Sequence, residues 1–326
     1  MRTMIAVLFA AFCTFFASMA YGEPIVIKFS HVVHDDTPKG KMADRFKELV
    51  QRKLSGKIKV EVYPDSKLSD DNKVVGKILA GEIQMAAPAM SKLKKYTPKL
   101  ALFDLPFLFT GIGGVDKFKK TEQGKSLLKS MEGKGITGLG YMHNGMKHFS
   151  ANKPLILPQD AEGLKFRIMS SDVLVAQFEA IGAIPVKKPF KEVYGLLESG
   201  KIDGQENTWS NIYSKKFHEV QEYITESNHG YLGYMVITST RFWNALDPET
   251  RKELEKMLSE AIAFGNQEAV KKEIFDKSKI AAAEKAHIIP LKNKGKKKWI
   301  AAMKPVWKKF EAQIGKDLID TAFASN

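Results

Sequence analysis

The sequence predicts an α/β protein of two lobes with a cleft between them and one long helix crossing both. Three observations carry this expectation. Near the start, apolar strands alternate with amphipathic helices in the β-α-β-α-β order of a doubly wound parallel sheet. The same order recurs from Leu164 onward. From Pro248 to about Ala286 a helical pattern runs with only Gly265 interrupting it. At 1.5 Å per residue that helix would reach roughly 55–60 Å, too far for one small domain.

The elements follow in order. Ile25 to Ser30 reads as a strand, and Thr37-Pro38 then reads as an N-cap and first helical residue. The helix they open turns Met42, Phe46, Leu49 and Val50 inward. Lys57 to Tyr63 alternates as a strand. Ser69 or Asp70 is expected to cap a helix that buries Val74, Val75, Ile78 and Leu79 and stops at Gly81, before a short strand over Ile83 to Ala87. Leu102 to Phe109 is nearly all apolar around Pro106 and reads as a buried connector. A helix over Thr121 to Met131 and a strand over Ile136 to Tyr141 follow, and an extended passage over His143 to Phe149 leads into the second unit.

In that unit, strand Leu164 to Met169 runs through a Ser170 or Ser171 cap into a helix carrying Val173, Leu174, Ala176 and Phe178. Strand Ala183 to Val186 precedes a helix over Phe190 to Glu198 with Val193, Leu196 and Leu197 inward. After Gly200 comes the polar Asp203-Gly204-Gln205-Glu206-Asn207, then a strand over Tyr231 to Thr240. Beyond the long helix, His287 to Leu291 is a strand, and a final amphipathic helix around Pro305 carries Trp299, Met303, Val306, Trp307 and Phe310. The expected division is a lobe over 23–144 to which about 233–272 returns, and a second over 145–232 with about 273–326.

Residues 1–22 stand apart. Arg2, an apolar run from Met4 to Ala20 and the small residues at Ala20 and Gly22 form a secretory signal peptide, with cleavage expected after Gly22. Cys13, the sole cysteine, lies inside it, so the exported chain would have no disulfide and no cysteine nucleophile. Removing 22 of 326 residues leaves 304, enough for two ordinary domains. A hydrophobic fraction of 44% with 27% charged residues describes a globular chain. The net charge of +14 suggests nucleic acid first, but the lysines are scattered over helix faces without exposed aromatics between them, and an exported protein rarely meets DNA. No nucleic-acid partner is expected, although a positive surface favours anionic solutes or an anionic membrane surface in a salt-dependent way.

The chemistry centres on Leu164 to Asn211. Arg167 breaks an apolar strand, and a guanidinium can neither shed its charge nor be buried cheaply alone. Its partner is either an incoming carboxylate gripped by a bidentate fork, or a structural acid such as Glu192, Asp203 or Glu206. Both readings stay open on the residues alone. Lys147, on a neighbouring extended segment, and Asn207 and Trp209 would add a cation, an amide and an aromatic wall, a set suited to holding a small organic acid.

GxSxG, HExxH, P-loop and GxGxxG signatures are absent, and Asp35/Asp36 and Asp70/Asp71 sit at helix starts, where the helix dipole explains them. His31 and His34 lack the spacing of a metal site. Binding without turnover, with no cofactor and no metal, is the expectation.

Five segments occur in a familiar order: Phe103-Asp104-Leu105-Pro106-Phe107, His143-Asn144-Gly145-Met146-Lys147, Phe190-Lys191-Glu192-Val193-Tyr194, Gly204-Gln205-Glu206-Asn207 and Met303-Lys304-Pro305-Val306-Trp307. Over essentially the whole exported chain, the sequence resembles the solute-binding proteins of tripartite ATP-independent periplasmic (TRAP) transporters, of the C4-dicarboxylate type. The resemblance implies a two-lobed periplasmic-binding-protein clamshell that closes over a carboxylate such as succinate, fumarate or malate and delivers it to membrane permease subunits driven by an ion gradient. It implies that Arg167 forms the salt bridge to the carboxylate, that Asn207 hydrogen-bonds the same group, and that Phe190 stands near the ligand. Lys147 occupies a position where sialic-acid members carry arginine, a departure that suits the dicarboxylate type. A dicarboxylate needs a second anchor, for which Lys92 is the candidate, with Ser91 and His31 beside it. A sensory co-receptor for a membrane histidine kinase, or a receptor for a monocarboxylate, would use the same chemistry. A monomer is the default.

Overall fold

The computed structural model describes residues 23–326, so the expected signal peptide lies outside the described residues. The chain opens with β1 (Ile25–Ser30), α1 (Pro38–Lys53), β2 (Ile58–Tyr63), α2 (Val74–Ala80) and the two-residue β3 (Met85–Ala86). Thr37 caps α1, its hydroxyl accepting from the Gly40 amide, with Pro38 in the first turn as expected. The start of α2 differs from expectation. Asp70 accepts from the Asn72 amide in a turn of its own, so the helix begins only at Val74, without a side-chain cap. Its Leu79 faces solvent, because Val74, Val75 and Ile78 already complete the inward face of a seven-residue helix.

Residues 102–109 are all buried, as the apolar connector required. Then come α3 (Ile112–Lys120), α4 (Glu122–Lys129), capped by Thr121, and β4 (Ile136–Ala151). The second unit holds β5 (Lys165–Ile168), α5 (Asp172–Glu179), β6 (Ile184–Lys187), α6 (Val193–Glu198), β7 (Gly204–Asn207) and α7 (Trp209–Ser214). Ser171 caps α5 by accepting from the Leu174 amide. The expected helix over 190–198 starts as a 3-10 turn at Phe190–Glu192, and its Leu196 is only half-buried. The chain finishes with β8 (Tyr223–Ser239), α8 (Thr240–Ala245), α9 (Pro248–Ala282), β9 (His287–Pro290), α10 (Asn293–Met303), α11 (Val306–Ile314) and α12 (Lys316–Ala324). The single C-terminal helix of the sequence reading is therefore three, broken at Pro305 and at Gly315, whose φ of 103° ends α11.

The strands form one nine-stranded sheet in the order β2-β1-β3-β8-β4-β7-β5-β6, with β9 pairing β8 off this path. Its two ends lie in the two lobes. The sequence reading, with two units joined by an extended passage, missed that β4 and β8 are antiparallel strands of 16 and 17 residues running through both lobes. Register shifts between Gly138 and Gly140, His143 and Gly145, and Lys147 and Phe149 break the alternation that would have announced a long strand. In β8, Asn228-His229-Gly230 reads as a turn, and Asn228 indeed has a φ of 47°.

α9 has 35 residues, about 52 Å of helix. It packs against α1 along one part and α7 along another, and so spans both lobes. Gly265 is required by this packing: a Cβ there would sit 2.6 Å from the Met42 Cβ and 2.8 Å from the Met142 Cε. No helix among the described residues is long and apolar enough to cross a membrane.

Candidate functional site

The cleft between the lobes has about 570 Å³ of empty space, its mouth included. Its walls come from the carboxyl ends of parallel strands, where a doubly wound sheet places its ligands. Val32 and Val33 follow β1, Ser66 follows β2, Ala89 follows β3, and Phe190 follows β6. Arg167 and Met169 close β5, and Glu206 and Asn207 close β7. The through-running strands add Lys147, Leu232 and Tyr234 from the middle.

Arg167 is 3% exposed. Its Nε and Nη2 both donate to the Lys188 carbonyl oxygen, at 3.0 and 2.8 Å. None of the acids considered as structural partners pairs with it, and among the described residues no carboxylate lies within 4.0 Å of the guanidinium. Burial draws its pKa down from 12.5 to about 10, against the pull of Glu206. The charge remains, oriented by one carbonyl and without a counter-ion. The Phe190 ring centroid lies 5.8 Å from it.

Lys147 is differently placed. Its ammonium lies 2.5 Å from Glu206 Oε2, and both side chains are buried. This is a contact of opposite charges, set at an angle that does not complete a hydrogen bond. The lysine stem crosses β8 at Gly230, where a Cβ would come within 2.7 Å of Lys147 Cε. Glu206 also accepts from His229 Nε2 at 3.0 Å, while His229 Nδ1 lies 2.7 Å from the Ser227 hydroxyl. Burial would raise the Glu206 pKa, but Lys147 and His229 outweigh it and hold the carboxyl below its ordinary value. Burial keeps His229 below its own ordinary value despite the carboxylate, so it serves as a neutral donor.

Asn207 faces the cleft with its Oδ1 engaged by the Asn211 side-chain amide at 2.7 Å and by the Thr208 backbone amide. That arrangement leaves its own Nδ2 free to donate. Across the cleft, Lys92 sits on a 3-10 turn at Met90–Leu93 and donates to Asn72 Oδ1 at 2.8 Å. Burial lowers its pKa to about 8. Asp70, Asp71 and Asn72 line the same wall, and Asp71 Oδ2 accepts from the Ala89 amide.

The structure thus brings Arg167, Lys147, Asn207, Phe190 and Lys92 to one cleft. Three residues of the sequence reading do not line it. Trp209 is 2% exposed and belongs to the core beneath β7, its ring centroid 4.3 Å from that of His148 at a tilt of 34°. His31 and Ser91 are buried behind the first wall, with no hydrogen-bond partner for either His31 nitrogen or the Ser91 hydroxyl. Burial and the nearby Lys39 push the His31 pKa down to about 3. At the surface, His34 Nδ1 lies within 3.0 Å of carboxylate oxygens of both Asp35 and Asp36, an exposed cluster that the spacing had not suggested.

Sequence reasoning missed Tyr234, Asn211 and the Asp71-Asn72 pair. Tyr234 points into the cleft from mid-strand, where its hydroxyl accepts from the Asn144 amide at 2.7 Å. Asp71 reads, together with Asp70, as a charge at a helix start, and Asn72 gives no signal of its own. Asn211 lies one turn after Asn207, a spacing of four that would have identified it once α7 was recognised.

Residues 29–313 match the model of the bacterial extracellular solute-binding proteins, family 7. The chain is 55% identical over 307 residues, 94% of its length and 91% of the relative's, to the C4-dicarboxylate-binding periplasmic protein DctP of Shewanella loihica. Among solved structures, a TRAP periplasmic solute-binding protein from Shewanella oneidensis with bound succinate superimposes with a TM-score of 0.92. It is 54% identical, and the match covers 93% of this chain and 99% of that one. A second, from Pseudomonas aeruginosa with bound L-malate, gives 0.86 at 45% identity, covering 88% and 100%.

Proposed function

The chain belongs to the bacterial extracellular solute-binding proteins of family 7, and on that premise we propose that it is a periplasmic receptor closing two lobes over a C4-dicarboxylate. The observation that carries the reading is Arg167, a buried cation at the carboxyl end of β5 without a protein carboxylate to balance it. A ligand carboxylate supplies that balance through the free edge of the guanidinium, and Asn207 donates to the same group. Lys92, on the facing wall, takes the second carboxylate. Relatives of 54% and 45% identity hold succinate and malate, which differ by one hydroxyl. Fumarate has the same two charges.

The binding cycle follows from the two lobes. The open form presents Arg167 on the lobe of 145–232, and the ligand bridges to the lobe of 23–144, offsetting the cost of closure. The closed form is the one that TRAP permease subunits in the membrane receive. The exported protein, freed of residues 1–22, acts as a monomer.

Calorimetric titration of refolded, ligand-stripped protein with succinate and with butyrate tests the reading. Tight binding of succinate and none of butyrate is expected. Equal binding of both would reduce the protein to a general carboxylate receptor, and no binding of either would remove the dicarboxylate assignment.

A further inference from the structure

Two groups of ion pairs cross from one lobe to the other at the rim of the cleft. Lys215, just past α7, places its ammonium 2.6 Å from Asp65 in the turn after β2, with both side chains only about one-quarter to one-third exposed (24% and 32%). Elsewhere on the rim Lys94 reaches Asp172 at 2.6 Å, and Lys187 holds the other oxygen of that carboxylate at 3.0 Å. Those carboxylate contacts account for Lys94, Lys187 and Asp172 without the cleft. The Asp65 contact reaches further in.

Asp65 is held by its backbone. Asp65 and Ser66 have φ of 54° and 61°, the left-handed region that non-glycine residues enter at a cost. The Asp65 amide donates to the Val33 carbonyl and the Ser66 amide to the His31 carbonyl, each at 3.0 Å. The turn is thereby fixed to the segment after β1, where Val32, Val33 and Ser66 line the cleft. On the other wall, the Lys215 ammonium lies 5.8 Å from the Phe190 ring centroid, the same ring that stands 5.8 Å from Arg167. One lysine thus touches a carboxylate fixed to the first lobe and the aromatic side chain beside the ligand's cation on the second. Lys215 itself does not line the cleft.

We infer that Lys215 is a positioning residue for ligand capture: paired with Asp65, it favours the closed form and holds Phe190 beside Arg167. The inference rests on the reading of the two lobes as a closing receptor. It assigns part of the affinity to a contact that the ligand never makes. A pair this accessible is screened by salt, so its contribution belongs to low ionic strength and fades where the Debye length falls to about 3 Å, near 1 M salt.

A double-mutant cycle tests it. Asp65→Asn keeps a residue that tolerates the left-handed turn, and Lys215→Gln keeps most of the stem without the charge. In low salt, each single substitution should weaken succinate binding by about fivefold, and the double substitution no more than either, since the two act through one contact. In 1 M salt all four proteins should agree. Lys216→Gln, one residue along on an exposed side chain, is the control and should bind as wild type. Single losses under twofold, or losses that multiply in the double variant, would overturn the inference.

A second readout separates this from the dicarboxylate reading. Dyes on Lys57→Cys and Lys201→Cys, both exposed and on opposite lobes, report the closed fraction by energy transfer. If wild type binds no succinate, the dicarboxylate assignment fails, and the closed fraction still decides the role of Lys215. A lower closed fraction in Lys215→Gln than in wild type supports it, and equal fractions refute it.

Discussion

Two buried cations face the cleft, and they differ in what already neutralises them. Lys147 sits 2.5 Å from Glu206, which His229 also supports, so that cluster is electrically complete before any ligand arrives. Arg167 has one backbone carbonyl and an aromatic ring, and no carboxylate. Both cations are almost fully removed from water, yet only one has a charge left for a ligand. Proximity to a cleft therefore does not define an anchor. On the proposed reading, the anchor is the cation whose counter-ion the protein has left out, and the paired one holds the floor of the cleft in place. Under the proposed function the same contrast accounts for the burial of Arg167: its single carbonyl orients it, and the cost of burial is offset when a ligand carboxylate completes the pair.

Arg167→Ala breaks the comparison most severely. It removes the ligand's proposed counter-ion outright, and about 3–4 kcal/mol of binding, two to three orders of magnitude in affinity, should disappear. Arg167→Lys keeps the charge without the planar fork and should recover only part. Titration calorimetry with succinate measures both, and an Arg167→Ala protein whose affinity falls less than tenfold would end the proposed role.

Glu206→Gln strikes the completed cluster and should appear in stability. It strands the Lys147 ammonium among buried groups, at a cost of about 3–5 kcal/mol of unfolding free energy. Lys147→Met combined with Glu206→Gln removes both charges together and should cost far less than Glu206→Gln alone. Urea unfolding at pH 7 distinguishes these outcomes, and equal losses in the single and double variants would contradict the pairing. Lys147→Ala should weaken succinate binding without abolishing it, and an unchanged affinity would take Lys147 out of the site altogether.

These differences were only partly readable from the chain. Arg167 announced itself because a guanidinium in an apolar strand violates the strand's own pattern, and the caps at Thr37 and Ser171 followed from short-range chemistry. The Lys147–Glu206 pair lay out of reach. The two residues are 59 positions apart and meet because β4 and β7 are antiparallel neighbours, with His148 opposite Asn207. The register of a strand interrupted by bulges is not written in any local window. The same gap hid the single sheet, since β4 and β8 each carry a segment that looks like a turn. Leu79 failed for a different reason: hydrophobicity marks a candidate for burial, and a short helix has room for only part of its apolar residues.

The facing wall sharpens the comparison through pH. Lys92 is lowered from 10.5 to about 8 by burial, so in the free protein it loses its proton as pH rises past 8. If Lys92 is the proposed second anchor, the second ligand carboxylate binds its protonated form. Succinate affinity should therefore be highest below pH 8 and fall by up to tenfold per pH unit above it, until the higher pKa of Lys92 in the complex is reached. Arg167, at about 10, stays mostly charged up to pH 9. Titrations from pH 7 to 9 in wild type and Lys92→Met should show the fall in the first and a nearly flat line in the second. A fall that persists without Lys92 would locate the second anchor elsewhere.

The smallest effect belongs to Trp209, expected from the sequence as a wall of the site and found in the core. Its indole packs at a tilt against His148 beneath β7, and the Lys277 ammonium lies 5.7 Å from its ring centroid. It holds the strand end that carries Asn207, at one remove from the ligand. Trp209→Phe keeps an aromatic face against His148 while leaving a gap where the second ring was. It should cost about 1–3 kcal/mol of stability and change succinate affinity by less than twofold. A wall residue would give the opposite result, a weakened ligand in a protein of nearly unchanged stability. Measuring thermal unfolding and affinity on the same variant therefore decides whether Trp209 belongs to the wall of the site, as the sequence suggested, or to the core beneath it.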